Sequence, residues 1–84
     1  MGRLARIGNV VIRIIPGDHL PPHFHAIGPD FEAFIVIETL LIFRGSLPPR
    51  ARRAVMTWAT ENHAALVAEW NRVNPRFPIA RVPS

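Results

Sequence analysis

The chain has 84 residues, 49% of them apolar and 19% charged, with a formal net charge of +4 and no cysteine. That length allows one small domain, which buries roughly 60–65% of the surface its unfolded chain exposes, and the balance is that of a folded chain rather than a disordered one. The lack of cysteine excludes disulfides and thiolate metal sites, so a bound metal would have to be held by imidazole and carboxylate.

Every basic residue is an arginine. The positive charge favours an acidic partner by long-range attraction, but solubility alone accounts for a charge of this size. Met1 to Arg6 followed by the apolar Ile7 to Ile15 has the outline of a signal peptide, yet Arg13 interrupts the run and no small-residue cleavage site follows. Arg6 stands where a myristoylation signal requires Ser or Thr, and no long apolar span occurs, so a cytoplasmic protein with no membrane partner is expected.

In chain order, Leu4–Ile7 and Val10–Ile15 read as two strands joined at Gly8-Asn9, a pair that tolerates the backbone of a tight turn. Val10, Ile12 and Ile14 form one face of the second strand, and Arg13 marks the other as the solvent side. Pro16-Gly17-Asp18 ends it, and Leu20-Pro21-Pro22 is a stiff extended connector in which either Xaa-Pro bond can be cis. His23–Ile27 and Glu32–Ile37 read as a hairpin. With Pro29-Asp30 as a two-residue loop, Phe24 faces Ile35 and Ala26 faces Ala33, while His23 and His25 share the opposite face with Val36 and Phe34. Thr39–Gly45 contains a fifth, short strand.

Ser46 is a possible N-cap, and Pro48-Pro49 suits a first helical turn. Ala51, Val55 and Trp58, then Ala65, Leu66, Trp70 and Val73, recur at helical spacing, so residues 49–74 form one bent helix or two helices meeting near Asn62. Pro75, Pro78 and Pro83 make the tail non-helical. The expected architecture is a single α+β domain over 1–84: a four- to five-stranded, mostly antiparallel sheet with the helical segment packed on one face through Val55, Trp58, Leu66 and Trp70. Trp58 and Trp70 anchor that stripe, each indole N–H reaching an edge acceptor.

The one local cluster that suggests chemistry is Asp18-His19-Leu20-Pro21-Pro22-His23-Phe24-His25. His23 and His25, alternate residues of a strand, project to one face and can converge on one ion. His19, brought back by the proline connector, completes a three-histidine set for a divalent metal such as zinc, with Asp18 or Glu32 as supporting oxygen groups. Three protein ligands with an open position suit a metal-dependent hydrolase or nuclease. A metal-free alternative uses His23 or His25 as general acid and base, with Arg13 or Arg44 on a phosphate. Arg50, Arg52 and Arg53, with Arg72 and Arg76 further on, suggest nucleic-acid binding, because cations in a first helical turn oppose the macrodipole and need something else to contact. His63 reads as a capping or surface residue.

The His19-Leu20-Pro21-Pro22-His23-Phe24-His25 string, the Glu32-Ala33 pair, the Gly45-Ser46-Leu47-Pro48 helix entry and Glu69-Trp70 resemble the bacterial domain of unknown function 4160 family over roughly residues 3–74, leaving 75–84 as a Pro-rich tail. The resemblance implies a compact α+β domain of toxin–antitoxin-like operons. It departs from the common pattern at Phe34, where relatives often carry a charge. That makes the outer sheet face more apolar and, with Val36, favours a partner surface there. The leading functional expectation is accordingly a protein-interaction module of a toxin–antitoxin-like system, its partner a protein encoded nearby or a second copy of itself. The metal-dependent enzyme and the nucleic-acid binder are the alternatives.

Overall fold

The computed structural model describes residues 4–79. Five strands precede two helices: β1 (Ala5–Ile7), β2 (Val10–Arg13), β3 (His23–Ile27), β4 (Glu32–Val36), β5 (Ile42–Gly45), α1 (Pro49–Glu61) and α2 (His63–Val73). The strands form one antiparallel sheet in sequence order, β1-β2-β3-β4-β5, a meander in which each strand pairs with its chain neighbours. The α+β expectation therefore holds, with five strands and two helices.

The β3–β4 register is the one expected from a Pro29-Asp30 loop. Phe24 pairs with Ile35 and Ala26 with Ala33, whereas His23 pairs with Val36 and His25 with Phe34. The Gly28 N–H donates to the Phe31 carbonyl at 2.9 Å across that loop. Strand alternation then sorts the two faces. Val10, Ile12, Ile14, Phe24, Ala26, Ala33, Ile35 and Ile37 turn to one side and meet Val55, Ala59, Leu66 and Trp70 of the helices in a single core. The histidine face is the other side.

Several details differ from the expectation. Strand β2 stops at Arg13, and Phe34 pairs with Arg44 while Ile35 pairs with Ile42, so Phe43 is an extra residue that bulges β5. Ser46 does not cap α1; its N–H donates to the Glu32 carbonyl at 3.2 Å, and the helix begins on Pro49 after Pro48. Asn62 divides the helices by serving the first of them: its backbone and side-chain N–H groups both donate to the Trp58 carbonyl at 2.9 Å, satisfying an end that would otherwise face the joint unpaired. His63 opens α2 and donates from Nε2 to the Ile37 carbonyl at 2.7 Å, tying that helix end to the sheet. Ala65 is exposed, and Ala59 takes a place in the core stripe.

The tail up to Ile79 packs on α2 rather than fraying. The Trp70 indole donates to the Phe77 carbonyl at 2.8 Å. The Asn71 side chain brackets Ile79, accepting from its N–H at 2.7 Å and donating to its carbonyl at 3.2 Å. Trp58, by contrast, is only half-buried, on the surface of α1 beside Arg50, Arg53 and Glu61. No helix among the described residues is long and apolar enough to cross a membrane.

Candidate metal centre

The first turn of β3 places two imidazoles side by side. His23 and His25 alternate with the core residue Phe24, so both rings leave the strand on the face opposite the helices, with centroids 5.1 Å apart. Such positions on an outer face are ordinarily wet, yet His23 is 1% and His25 5% exposed. Phe34, the cross-strand partner of His25, covers both, at 5.4 Å stacked on His23 and 4.3 Å tilted on His25, and the bulged Phe43 stands edge-on to His23 at 5.1 Å. The His23 ring also comes within 6.1 Å of Trp70, so the C-terminal part of α2 borders the site.

Asp18 closes the remaining side. It follows Gly17, whose φ of +72° is a conformation L side chains rarely adopt. The loop is fastened to the far end of the chain: Asn74, at the C-cap of α2, accepts from the Gly17 N–H at 2.6 Å and donates to the Ile15 carbonyl at 3.3 Å. The connector that follows contains a cis Leu20–Pro21 bond. Asp18 Oδ1 accepts from the His19 N–H at 2.8 Å, and Oδ2 lies 2.7 Å from His25 Nε2 and 3.1 Å from His23 Nε2. Burial pushes the Asp18 carboxyl upward, but the His25 hydrogen bond, the His19 N–H and the two nearby imidazoles outweigh it and hold the group below the usual carboxylate value.

The other ring nitrogens orient the two imidazoles. His23 Nδ1 lies 2.8 Å from the Pro21 carbonyl oxygen, which only accepts, so Nδ1 carries the proton and neutral His23 presents a bare lone pair at Nε2. His25 lies between two carboxylates, Nδ1 3.2 Å from Glu32 Oε2 and Nε2 2.7 Å from Asp18 Oδ2, so its Nε2 holds the proton of the Asp18 hydrogen bond and becomes a metal donor by giving that proton up. Two imidazole nitrogens and a carboxylate oxygen thus converge, all within 4.8 Å of one another. A proton shared between Asp18 Oδ2 and His25 Nε2 satisfies that pair alone. His23 Nε2 is within ion-pair distance of Asp18 but off the direction a hydrogen bond needs, and it is buried without a hydrogen-bond partner.

Asp18, His23 and His25 fit a metal. Around a tetrahedral zinc with bonds of 2.0–2.2 Å, neighbouring donors stand about 3.3 Å apart, so the Asp18 oxygen, 2.7 and 3.1 Å from the two Nε2 atoms, would move outward and the donors, within 4.8 Å of one another, would close around an ion. Glu32, hydrogen-bonded behind His25, is the supporting carboxylate. This geometry exchanges two expected roles: Asp18 enters the convergent group, and His19, exposed on the loop, stays out of it. The reason is local. Gly17 and the Asn74 clamp aim the Asp18 side chain inward, and the next residue points away. Asn74 was invisible to sequence reasoning; an Asn just before Pro75 at a helix end was the available signal.

Residues 10–71 match the family model described as Domain of unknown function (DUF4160). The chain belongs to this family. No curated protein and no solved structure matches it. The matched span of the DUF4160 domain contains Asp18, His23, His25 and Glu32 and ends just short of Asn74.

The remaining expected contacts lie elsewhere. Arg50, Arg52 and Arg53 are exposed on α1, across the sheet from the histidines. Arg72 is held bidentately by Glu69, at 2.9 and 2.7 Å, and that contact lowers the Glu69 carboxyl. Phe34 and Val36 are half-buried on the histidine face, Phe34 as the lid of the imidazoles rather than a free surface.

Replacing Asn74 with Ala removes both bonds that fasten the Asp18 loop. A loss of about 1–2 kcal/mol of stability is expected, read as a melting temperature lower by about 5–15 °C. Zinc affinity should fall in parallel, as calorimetry would show. A variant that melts normally and binds zinc as wild type would remove Asn74 from this role.

Proposed function

We propose that this DUF4160 domain holds a divalent metal, zinc by its donor set, through Asp18, His23 and His25, and presents it to an external ligand as a hydrolytic centre. One observation carries the reading: His23 Nε2 is buried without a hydrogen-bond partner and lies within 4.8 Å of two other potential metal donors, while its Nδ1 donates to the Pro21 carbonyl and leaves Nε2 of the neutral ring free to ligate. One cation satisfies all three atoms at once. Structural zinc sites use four protein ligands, so a three-ligand set leaves a position for water or substrate. A metal so held lowers the pKa of bound water and supplies a nucleophile at neutral pH. The chain's own contribution is orientation: the Pro21 carbonyl holds the His23 ring, Glu32 holds the His25 ring, Phe34 packs against both imidazoles and Phe43 against His23, and the Asn74 clamp keeps Asp18 in place.

Metal analysis of untagged protein tests this directly. About one equivalent of divalent metal is expected. Adding zinc to stripped protein should raise the melting temperature with a saturating dependence, about 2.7 kcal/mol at a hundredfold excess over Kd. Protein that takes up no divalent ion, with histidine NMR signals unmoved by zinc, would end the reading. Two imidazoles and one carboxylate also suit non-haem iron; iron in the isolated protein would keep the site and change its chemistry.

A second reading keeps the domain as a protein-interaction module, serving a toxin–antitoxin-like pair. It is supported by the free edge of β5, where Phe43 is 45% exposed, and by the adjoining Leu41, 66% exposed. Apolar residues beside an unpaired strand edge favour pairing with another chain. Light scattering and co-expression with neighbouring gene products test it, and a strict monomer with no partner would exclude it.

A further inference from the structure

Of the cationic side chains on the outer sheet face, two lie in the same cross-strand row as His25, and the metal set uses neither. Arg13 of β2 is the cross-strand partner of His25, His25 of Phe34, and Phe34 of Arg44 on β5. Directly paired residues share a face, so Arg13 stands one strand from His25 on one side and Arg44 two strands away on the other. Both are exposed. The Arg44 guanidinium carbon lies 5.8 Å from the Phe34 ring centroid, which holds the charge over the face rather than past the sheet edge. Among the described residues, the ion pairs are made by Asp18, Glu32 and Glu69, and neither Arg13 nor Arg44 joins one.

Asp18 and Glu32 offset the charge of a divalent ion, so with the ion bound these two arginines leave the face net positive. They stand three strand spacings apart, about 14 Å, too far to clamp one carboxylate between them. That spacing suits an anion repeated along a chain, with its central group on the ion and its neighbours on the guanidiniums, whose forked donors match phosphate oxygens. Phe43 adds exposed aromatic surface next to His23, on which a base can stack.

The geometry points to the phosphodiester backbone of a single-stranded nucleic acid as the external ligand of the proposed metal centre, an inference that rests on the metal reading above. Arg13 and Arg44 hold phosphates on either side of the ion, and Phe43 receives a base. The helical arginines, on the opposite face, take no part.

The experiment has two stages on the full chain. Zinc is titrated first; then a six-nucleotide single-stranded oligothymidylate is titrated into the zinc-loaded protein at several salt concentrations. Wild type is expected to bind with a slope of log K against log salt near about −1.4, the value for two phosphate contacts on a single strand. R13Q/R44Q should bind the oligonucleotide at least tenfold more weakly with the slope near zero, while its zinc affinity and melting temperature stay as in wild type. R52Q/R53Q should bind like wild type. The inference is overturned if R13Q/R44Q binds as well as wild type, if R52Q/R53Q carries the loss, or if zinc-loaded protein ignores the oligonucleotide; in that last case the metal reading stands. Absence of zinc uptake in the first stage overturns both.

Discussion

His23→Phe is expected to leave the metal-free domain as stable as wild type or more so, and to abolish its stabilisation by zinc. Most substitutions at a residue 1% exposed destabilise, so the sign is diagnostic. Phe keeps the aromatic contacts with Phe34 and Phe43. It loses the Nδ1 bond to the Pro21 carbonyl, worth about 1 kcal/mol, but Pro21 is exposed and water can replace the donor. It also removes the unpartnered Nε2, whose burial costs about 1–3 kcal/mol. The balance runs from neutral to a gain of about 1–2 kcal/mol, read as a melting temperature unchanged or raised by several degrees. Zinc affinity should drop by more than the 10–100-fold typical of removing a supporting group. A structural histidine would behave the opposite way: the variant would melt early, and zinc would act on it as on wild type.

The largest purely structural effect is expected at Gly45. Its φ is +75°, and a Cβ there would run into the Glu32 carbonyl oxygen, with Ala33 Cα at 3.2 Å. The obstacle is backbone at the end of the β4–β5 ladder, on a residue also paired with Ile27 of β3, and cannot swing aside as a side chain could. The left-handed backbone alone costs an alanine about 1–2 kcal/mol, and the collision brings the total to about 3 kcal/mol or more, an overpacking penalty of the usual size. That is a large fraction of the ~5–15 kcal/mol by which domains are stable, and it corresponds to a melting temperature lower by at least about 12 °C. Glu32 also orients His25, so a displaced β4 should weaken zinc binding in any G45A protein that remains folded. Thermal denaturation decides it; a variant melting within about 2 °C of wild type would mean that the strand end relaxes freely.

How much of this was legible in the chain differs from one element to the next. The β3–β4 hairpin was readable because alternation allows one register in which Phe24, Ala26, Ala33 and Ile35 are buried together, and Pro29-Asp30 gives the loop length that produces it. The pairing of His23 with His25 followed from that alone. The division of the helical segment at Asn62 was signalled by its polar surroundings, though the role of the amide in closing α1 was not. That Asp18 rather than His19 joins the two imidazoles was not readable, because neighbouring loop residues are told apart by backbone angles, and those are set by Gly17 and by a contact with a residue 57 positions away. Periodicity carries nothing about such a contact. The deep burial of the outer-face imidazoles was equally hidden, since it depends on the Phe43 bulge and on the loop folding back.

The Asn74 clamp also has a consequence for how the centre comes into being. Both imidazoles belong to an early hairpin of a meander whose pairings are all between chain neighbours, and such local contacts form quickly. The carboxylate loop, although it precedes them in the chain, is fastened on the N-terminal side of Asp18, at Ile15 and Gly17, by a residue at the C-terminal end of α2. A ribosome delivers the N-terminal part first. The two imidazoles are therefore in place before the carboxylate is secured, and full affinity for an ion would arrive only with α2. Metal loading would then depend on α2 having packed against the loop, because a chain cut before Asn74 carries the histidines without the clamp on Asp18.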